Sequence, residues 1–211
     1  MNLFGRTEQL MGQAAMEKIK KARVAVFGLG AVGSFATEAL ARAGVGYLRL
    51  VDFDRVDASN INRQLYALHS TIGRKKARLA QERVVDINPF CTVELHDTFV
   101  NADSLTSLLS RDIDVVVDAI DGLNSKVNLI FGAVTMELPV VSSMGAAGKT
   151  DLSMIKTGDL SETCVCPLAR VVRQRLHRRG VYEGVVCVYS IEKALNKLPC
   201  PQKNDAEDVL S

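Results

Sequence analysis

Short, nearly unbroken apolar runs rich in β-branched residues recur along this chain, and segments with helical spacing of apolar positions lie between them. The runs are "RVAVFGLG" (Arg23 to Gly30), "YLRLVDFD" (Tyr47 to Asp54), "CTVELHDTF" (Cys91 to Phe99), "DVVVDAID" (Asp114 to Asp121) and "LPVVSSMG" (Leu138 to Gly145). The helical patterns cover Val32 to Ala43, Arg74 to Ile87, Asp103 to Leu109 and Asn124 to Met136. Continuous apolar runs are what strands buried on both faces require, and their alternation with helices predicts a doubly wound α/β fold with a mostly parallel sheet.

The two ends depart from this rhythm. Residues 1–22 read as a separate N-terminal helical segment, with Leu10, Met11, Ala14, Ala15 and Ile19 as its apolar stripe. Residues 23–150 form the alternating domain. From 151 to 195 the alternation breaks down into an extension, where "PLARVVRQRLHRRG" predicts a helix beginning on Pro167 and ending at Gly180. "GVVCVYS" (Gly184 to Ser190) predicts a short strand, and residues 196–211, proline-bearing and charged, a disordered tail.

Composition narrows the possibilities. With 211 residues, 47% of them apolar, the chain can bury a sizeable core. It holds no apolar run of the ~18 residues that a membrane span needs, and "MNLFGRTEQLMGQ" lacks the apolar centre of a signal peptide. The expectation is a soluble, cytoplasmic protein. Five cysteines without a C-x-x-C argue against both a disulfide framework and a four-cysteine zinc site.

The net charge of +2 identifies no partner. Its distribution says more, because "ARVVRQRLHRRG" holds five arginines and no acid. Arg170, Arg173, Arg175, Arg178 and Arg179 suit either a solvated helix face or a surface for phosphates or RNA.

The turn "GLGAVG" after the first run spells G-x-G-x-x-G at Gly28, Gly30 and Gly33. Glycines there let backbone approach a phosphate chain, and the following helix aims free N–H groups at it. Asp52, nineteen residues beyond Gly33 at the end of the second run, is placed to bond ribose hydroxyls. A nicotinamide dinucleotide and ATP both remain open at this point. The next segment favours ATP. Asn60, Arg63 and Gln64 in "NINRQ", then Lys76 in "GRKKA", supply the fork and the point charge that a triphosphate attracts. Asp121, the outer acid of "DAIDG", is the candidate Mg²⁺ ligand, and Asp118 reads as a partly buried structural acid.

Taken together, from Arg6 to about Gly148, these motifs resemble the E1-like adenylating superfamily, which includes ubiquitin-activating enzymes and molybdopterin- and thiamine-pathway adenylyltransferases. Within it, "RTEQLMG", "NINRQ", "GAAGKTD" and "VCPLARVVRQRLHRRG" are most similar to the tRNA threonylcarbamoyladenosine dehydratase branch. The resemblance implies a Rossmann-like fold, with Gly28, Gly30, Ala31 and Gly33 lining ATP and Asp52 holding the ribose. Asn60, Arg63 and Lys76 would contact the phosphates beside Gln64, and Asp121 would position Mg²⁺. Arg6 matches an arginine contributed by a partner subunit, which implies a homodimer. Gly122 and Lys126 stand where many superfamily members have Asn and Arg; lysine fits the dehydratase branch. The paired zinc cysteines of other branches are absent, so no zinc is expected. Members usually continue past a crossover segment into further strand and helix, whereas this sequence ends at Ser211.

The implied reaction activates the threonyl carboxylate of a modified adenosine in tRNA as an acyl-adenylate, which a nitrogen of the same side chain then closes into a ring with loss of AMP. Cys164 and Cys166 read either as a nucleophile or sulfur relay, with a partner from a sulfur-transfer pathway, or as ordinary thiols near a helix start. His177 reads as a surface residue, and His69 and His96 as structural or solvent-facing. Three other readings remain. An adenylyltransferase for a ubiquitin-like sulfur carrier shares every ATP residue but leaves the basic helix unexplained. A nicotinamide oxidoreductase leaves Arg63, Lys76 and Asp121 without a role. A catalytically dead RNA- or partner-binding module has no use for intact phosphate residues.

Overall fold

In the computed structural model, which describes residues 3–195, β1 (Arg23–Phe27) is the centre of the molecule. Its side chains alternate between two cores. Val24 and Val26 enter one with Leu48 and Leu50, whereas Ala25 and Phe27 enter the other with Val51 and Val116. A strand apolar on both faces must be covered twice, and it is. The first core is closed by α3 (Gly33–Ala43) and α4 (Lys76–Ile87), through Ala41, Ala77, Ala80 and Val84. The second is closed by α5 (Leu105–Leu108), α6 (Leu123–Thr135) and α7 (Pro167–His177), through Leu108, Leu129, Ile130, Val172 and Leu176.

The remaining strands are β2 (Tyr47–Val51), β3 (Thr92–His96), β4 (Val115–Asp118), β5 (Val140–Ser143), β6 (Ile155–Asp159) and β7 (Val185–Ser190). They form one seven-stranded sheet in the order β3-β2-β1-β4-β5-β7-β6. Every neighbouring pair is parallel except β6 with β7. The order reverses between β1 and β4, which opens a crevice at the carboxyl ends of the strands, where ligands of such sheets bind.

Two sequence expectations need correction. The N-terminal segment is two helices, α1 (Gly5–Met11) and α2 (Gln13–Lys21), broken at Gly12, whose φ of 83° and ψ of 158° favour glycine. Leu10 and Met11 are consequently exposed, and the residue that anchors the segment is Met16, fully buried against Gly44. The segment after Asp151 does not leave the sheet. β7 lies parallel beside β5 and β6 pairs antiparallel on its far side. Asp159 ties this addition together by accepting the Gly184 and Val185 amides at 2.7 and 3.0 Å. The disordered tail expected for residues 196–211 lies outside the described residues.

Candidate functional site

The glycine turn that follows β1 is shaped by three different demands. Gly28 has φ +84°, and a Cβ there would lie 2.8 Å from the Ala119 carbonyl oxygen. A Cβ on Gly33 would fall 1.7 Å from the Gly28 oxygen, so this glycine lets α3 start against the strand. Gly30 is different: a Cβ would meet only Gln64, at an ordinary 3.7 Å. The protein does not need glycine at 30 for its own packing. The missing side chain instead leaves room on the cleft wall for close approach of a ligand.

Asp52 follows β2 and is 7% exposed. One of its oxygens accepts the Leu29 amide at 2.6 Å and the other the Asp54 amide at 2.7 Å. It therefore clamps the glycine turn to the sheet, and each oxygen keeps a further lone pair. Burial pushes its carboxyl above the ordinary aspartate range; the Leu29 and Asp54 amides and the nearby Lys76 ammonium pull it part of the way back.

Beyond it, Asp57 caps a short turn by accepting the Ser59 amide at 2.8 Å, and Asn60 Oδ1 accepts the Asp57 amide at 3.2 Å. This reciprocal cap fixes Asn60 in a buried position and leads the chain into Arg63. Arg63 gives one nitrogen to the Ser59 carbonyl at 2.9 Å and to Asn62 Oδ1 at 3.0 Å, and is otherwise exposed. Lys76, the first residue of α4, is 5% exposed and bonds Asp54 at 2.9 Å.

On the other side of the turn, β4 ends in Asp118. Asp118 is fully buried, not partly: Oδ2 accepts Lys126 at 2.6 Å and Ser142 at 2.5 Å, and Oδ1 accepts the Ile120 amide at 3.1 Å. Asp121, three residues on, is exposed and has no hydrogen bond or ion pair among the described residues. The contrast separates a structural acid from one available to a ligand.

These groups line one cleft of about 960 Å³, at the upper end for a small-molecule site. It brings together Gly28, Gly30, Ala31, Asp52, Asn60, Arg63, Gln64, Lys76 and Asp121. Gly33 lies beneath it, at the helix start. Arg6 is elsewhere. Phe4 packs at Gly44, where α3 ends, and Lys20 abuts Gly46 at the start of β2, so α1 and α2 sit at the amino end of the sheet. The eleven-residue α3 separates that end from the cleft by about 16 Å.

The basic helix is not a uniform fan. Arg170 and Arg178 are exposed, but Arg173 turns inward to the Thr163 and Leu160 carbonyls at 2.7 and 3.2 Å. Arg179 bonds Asn128 at 2.8 Å, and Arg175 bonds Asn124 and lines the cleft. Cys166 is buried at the start of α7, whereas Cys164 is exposed. His177 is exposed and packs beside Tyr182.

Sequence reasoning missed the roles of three groups, of which the Phe53–Phe99 pair and Arg175 line the cleft and Lys126 is fully buried. Phe53 and Phe99 meet edge to face at 5.0 Å on the cleft wall, each just past a strand end, and that position in the sequence was the available signal. Lys126 was noticed without its partner Asp118, eight residues away and one helical turn inside α6. Arg175 was grouped with the other arginines because composition does not distinguish the faces of a helix.

A sequence model of the ThiF family matches residues 4–191, spanning the glycine turn, the phosphate cluster, Asp121 and the last strand. This chain belongs to the ThiF family. Among ThiF-family relatives it is 42% identical over 195 residues to a tRNA threonylcarbamoyladenosine dehydratase of Bacillus subtilis, covering 92% of this chain and 77% of that protein. It is 40% identical over 196 residues to the Escherichia coli protein of that name, covering 90% and 73%. The crystal structure of the E. coli dehydratase in complex with ATP matches with a TM-score of 0.87 and 38% identity, over 92% of this chain and 82% of that one. Similarity to the molybdopterin-synthase adenylyltransferase of Salmonella typhimurium is 39% over 131 residues, only 62% of this chain and 51% of that protein.

Proposed function

We propose that this protein is an ATP-dependent enzyme that dehydrates threonylcarbamoyladenosine in tRNA, closing its side chain into a ring. The observation that carries the reading is the extent of the match. The likeness to dehydratases runs through α7 and β7, over 92% of the chain, while the likeness to the adenylyltransferase covers 62%. The cleft supports ATP as co-substrate: spare room at Gly30, the start of α3, and the cations Arg63 and Lys76 suit a triphosphate. The apolar wall at Phe53 and Phe99 suits a nucleobase.

No group of three or more histidines, cysteines or acids that could hold a metal exists among the described residues. Asp121, the exposed cleft carboxylate with no hydrogen bond or ion pair among the described residues, fits Mg²⁺ brought with nucleotide phosphates rather than a resident ion. Bound there, Mg²⁺ would neutralise charge on the phosphates. Arg63 and Lys76 hold the leaving pyrophosphate, and Asp52 keeps the glycine turn rigid while offering lone pairs to the ribose. The substrate carboxylate forms a bond to the α-phosphorus, and pyrophosphate leaves with its electron pair. A nitrogen of the same side chain then attacks the activated carbonyl, loses its proton, and AMP departs. The net change is loss of one water from the nucleoside. The active unit is a cytoplasmic homodimer in which Arg6 of one subunit completes the other's cleft. The exposed Arg170 and Arg178 contact the RNA backbone, and Cys164, the exposed thiol among the described residues, is accessible to a sulfur-transfer partner.

The test is to incubate the protein with ATP, Mg²⁺ and tRNA carrying threonylcarbamoyladenosine. AMP and pyrophosphate should form in equal amounts while the nucleoside loses the mass of one water. ATP–pyrophosphate exchange only with a ubiquitin-like carrier protein would replace this reading with the adenylyltransferase one.

A further inference from the structure

Arg175 stands across the cleft from the phosphate cluster. The sheet order fixes this arrangement. Arg63 and Lys76 follow β2, Asp121 follows β4, and Arg175 reaches the cleft from α7, bonded to Asn124 at the start of α6. The cleft therefore has two poles: Arg63 and Lys76, the latter paired with Asp54 at 2.9 Å, on the β2 side of the glycine turn, and Arg175 on the β4 side, where Asp121 also lies.

The second pole is built rather than incidental. Arg175 is half-buried and gives Nη1 to Asn124 Oδ1 in the first turn of α6. One turn further, Arg179 bonds Asn128 at 2.8 Å and sits 5.3 Å from the Phe131 ring. Two successive arginine–asparagine pairs thus lock α7 onto α6. The remaining donors of Arg175 have no partner among the described residues. A fork held at one corner, with its other donors open to a cleft, is suited to a carboxylate.

We propose that Arg175 receives the carboxylate that attacks the α-phosphate. The inference rests on the dehydratase reading and deepens it. In-line displacement puts the attacking and leaving oxygens on opposite sides of the phosphorus. Arg63 and Lys76 occupy the leaving side, so the nucleophile enters from the side of Arg175. The guanidinium keeps its charge throughout; it binds the carboxylate by two hydrogen bonds, and no proton changes hands when the oxygen–phosphorus bond forms and pyrophosphate is released. This separates Arg175 from Arg170 and Arg178, which face solvent and can meet only the RNA backbone.

The experiment compares binding of two tRNAs, one carrying the threonylcarbamoyl group and one lacking it, to the wild type and to R175Q, R175K and R170Q/R178Q. Wild type should prefer the modified tRNA. R175Q should erase that preference and raise KM for modified tRNA between about ten- and a hundredfold, the range for a hydrogen bond to a charged group, while ATP affinity stays unchanged. R175K should recover part of the preference, since it restores charge without the fork. R170Q/R178Q should weaken both tRNAs alike. Unchanged ATP affinity also shows that the variants are folded. If R175Q keeps the preference and the KM while wild type is active, the assignment of Arg175 is overturned and the dehydratase reading stands. If wild type itself does not turn over modified tRNA, both fall.

Discussion

The Lys126 ammonium lies 2.6 Å from the Asp118 carboxylate, and neither side chain is exposed at all. Lys126 also donates to the Ser143 carbonyl at 3.0 Å, and Ser142 shares the same carboxylate oxygen. One buried cluster therefore joins the end of β4, the end of β5 and the first turns of α6, directly beneath Asp121. Lys126→Met leaves a buried carboxylate without its counter-charge, which costs about 3–5 kcal/mol. Urea denaturation should show that loss as a lower midpoint with little change in slope. Adding Asp118→Asn to Lys126→Met should recover part of it, because the stranded charge is gone. Equal stability of Lys126→Met and wild type would mean that the pair contributes nothing.

Asp121 is the opposite case. It is exposed and bonded to nothing among the described residues, so the fold does not depend on it. Asp121→Ala should change stability by no more than about 0.5 kcal/mol. Turnover should nonetheless fall by at least about a hundredfold, the scale of losing one charge-stabilising group at a reacting centre. AMP release and a thermal melt, measured on the same preparation, separate the two. A variant that is both inactive and unstable would return Asp121 to a structural role.

Glu38 gives a pH signature away from the cleft. On α3, it takes Arg83 of α4 at 2.8 and 3.0 Å and Arg42 at 2.8 Å. Hydrogen bonding from Arg83 is the main cause holding its carboxyl below the ordinary 4.5, against an opposing push from burial. A depressed carboxyl contributes stability that is complete above the unfolded value and is lost as pH falls through the folded one. Both arginines are substantially exposed, so the whole clamp stabilises by no more than about 1 kcal/mol. Glu38→Gln should therefore be slightly less stable than wild type at neutral pH, and the gap should close below the ordinary glutamate value. A gap that persists unchanged in acid would trace to packing rather than charge.

The central sheet and the phosphate side of the cleft were legible because each carries a local signal. β1, β2, β4 and β5 are largely apolar runs, β3 is an edge strand that mixes apolar and polar residues, and Gly28 to Gly33, Asp52 and the Asn60 to Lys76 cluster lie at fixed offsets from strand ends. β6 was not legible: "IKTGD" is an exposed edge strand, held by pairing with β7 and not by its own apolar residues. The break at Gly12 was hidden because the apolar spacing runs on through it, and only the backbone reveals that Leu10 faces solvent. The roles of Arg173 and Arg175 depend on what lies across from α7. Asn124 lies 51 residues before Arg175 and Thr163 precedes the helix, and neither reveals from sequence which arginine it will meet, so five similar arginines read alike until the helix is docked.

Arg6 makes the sharpest claim about assembly. It sits on α1, at the amino end of the sheet, with the length of α3, about 16 Å, between that end and the cleft. An extended arginine side chain is too short to cover that distance, so any contribution to catalysis has to enter another subunit's cleft. Arg6→Ala and Arg63→Ala should then each be inactive alone, since every site in either homodimer lacks one arginine. After mixing and subunit exchange, half of the dimers are hybrids. In a hybrid, one cleft has lost both arginines and the other holds Arg63 from its own chain and Arg6 from the partner. Activity should return to about a quarter of wild type, from one intact site in half of the molecules. The measurement is AMP release, with exchange verified by a tag on one variant. Full exchange without recovery would show that Arg6 takes no part across the interface, and the distance within one chain would then remove it from the reaction altogether.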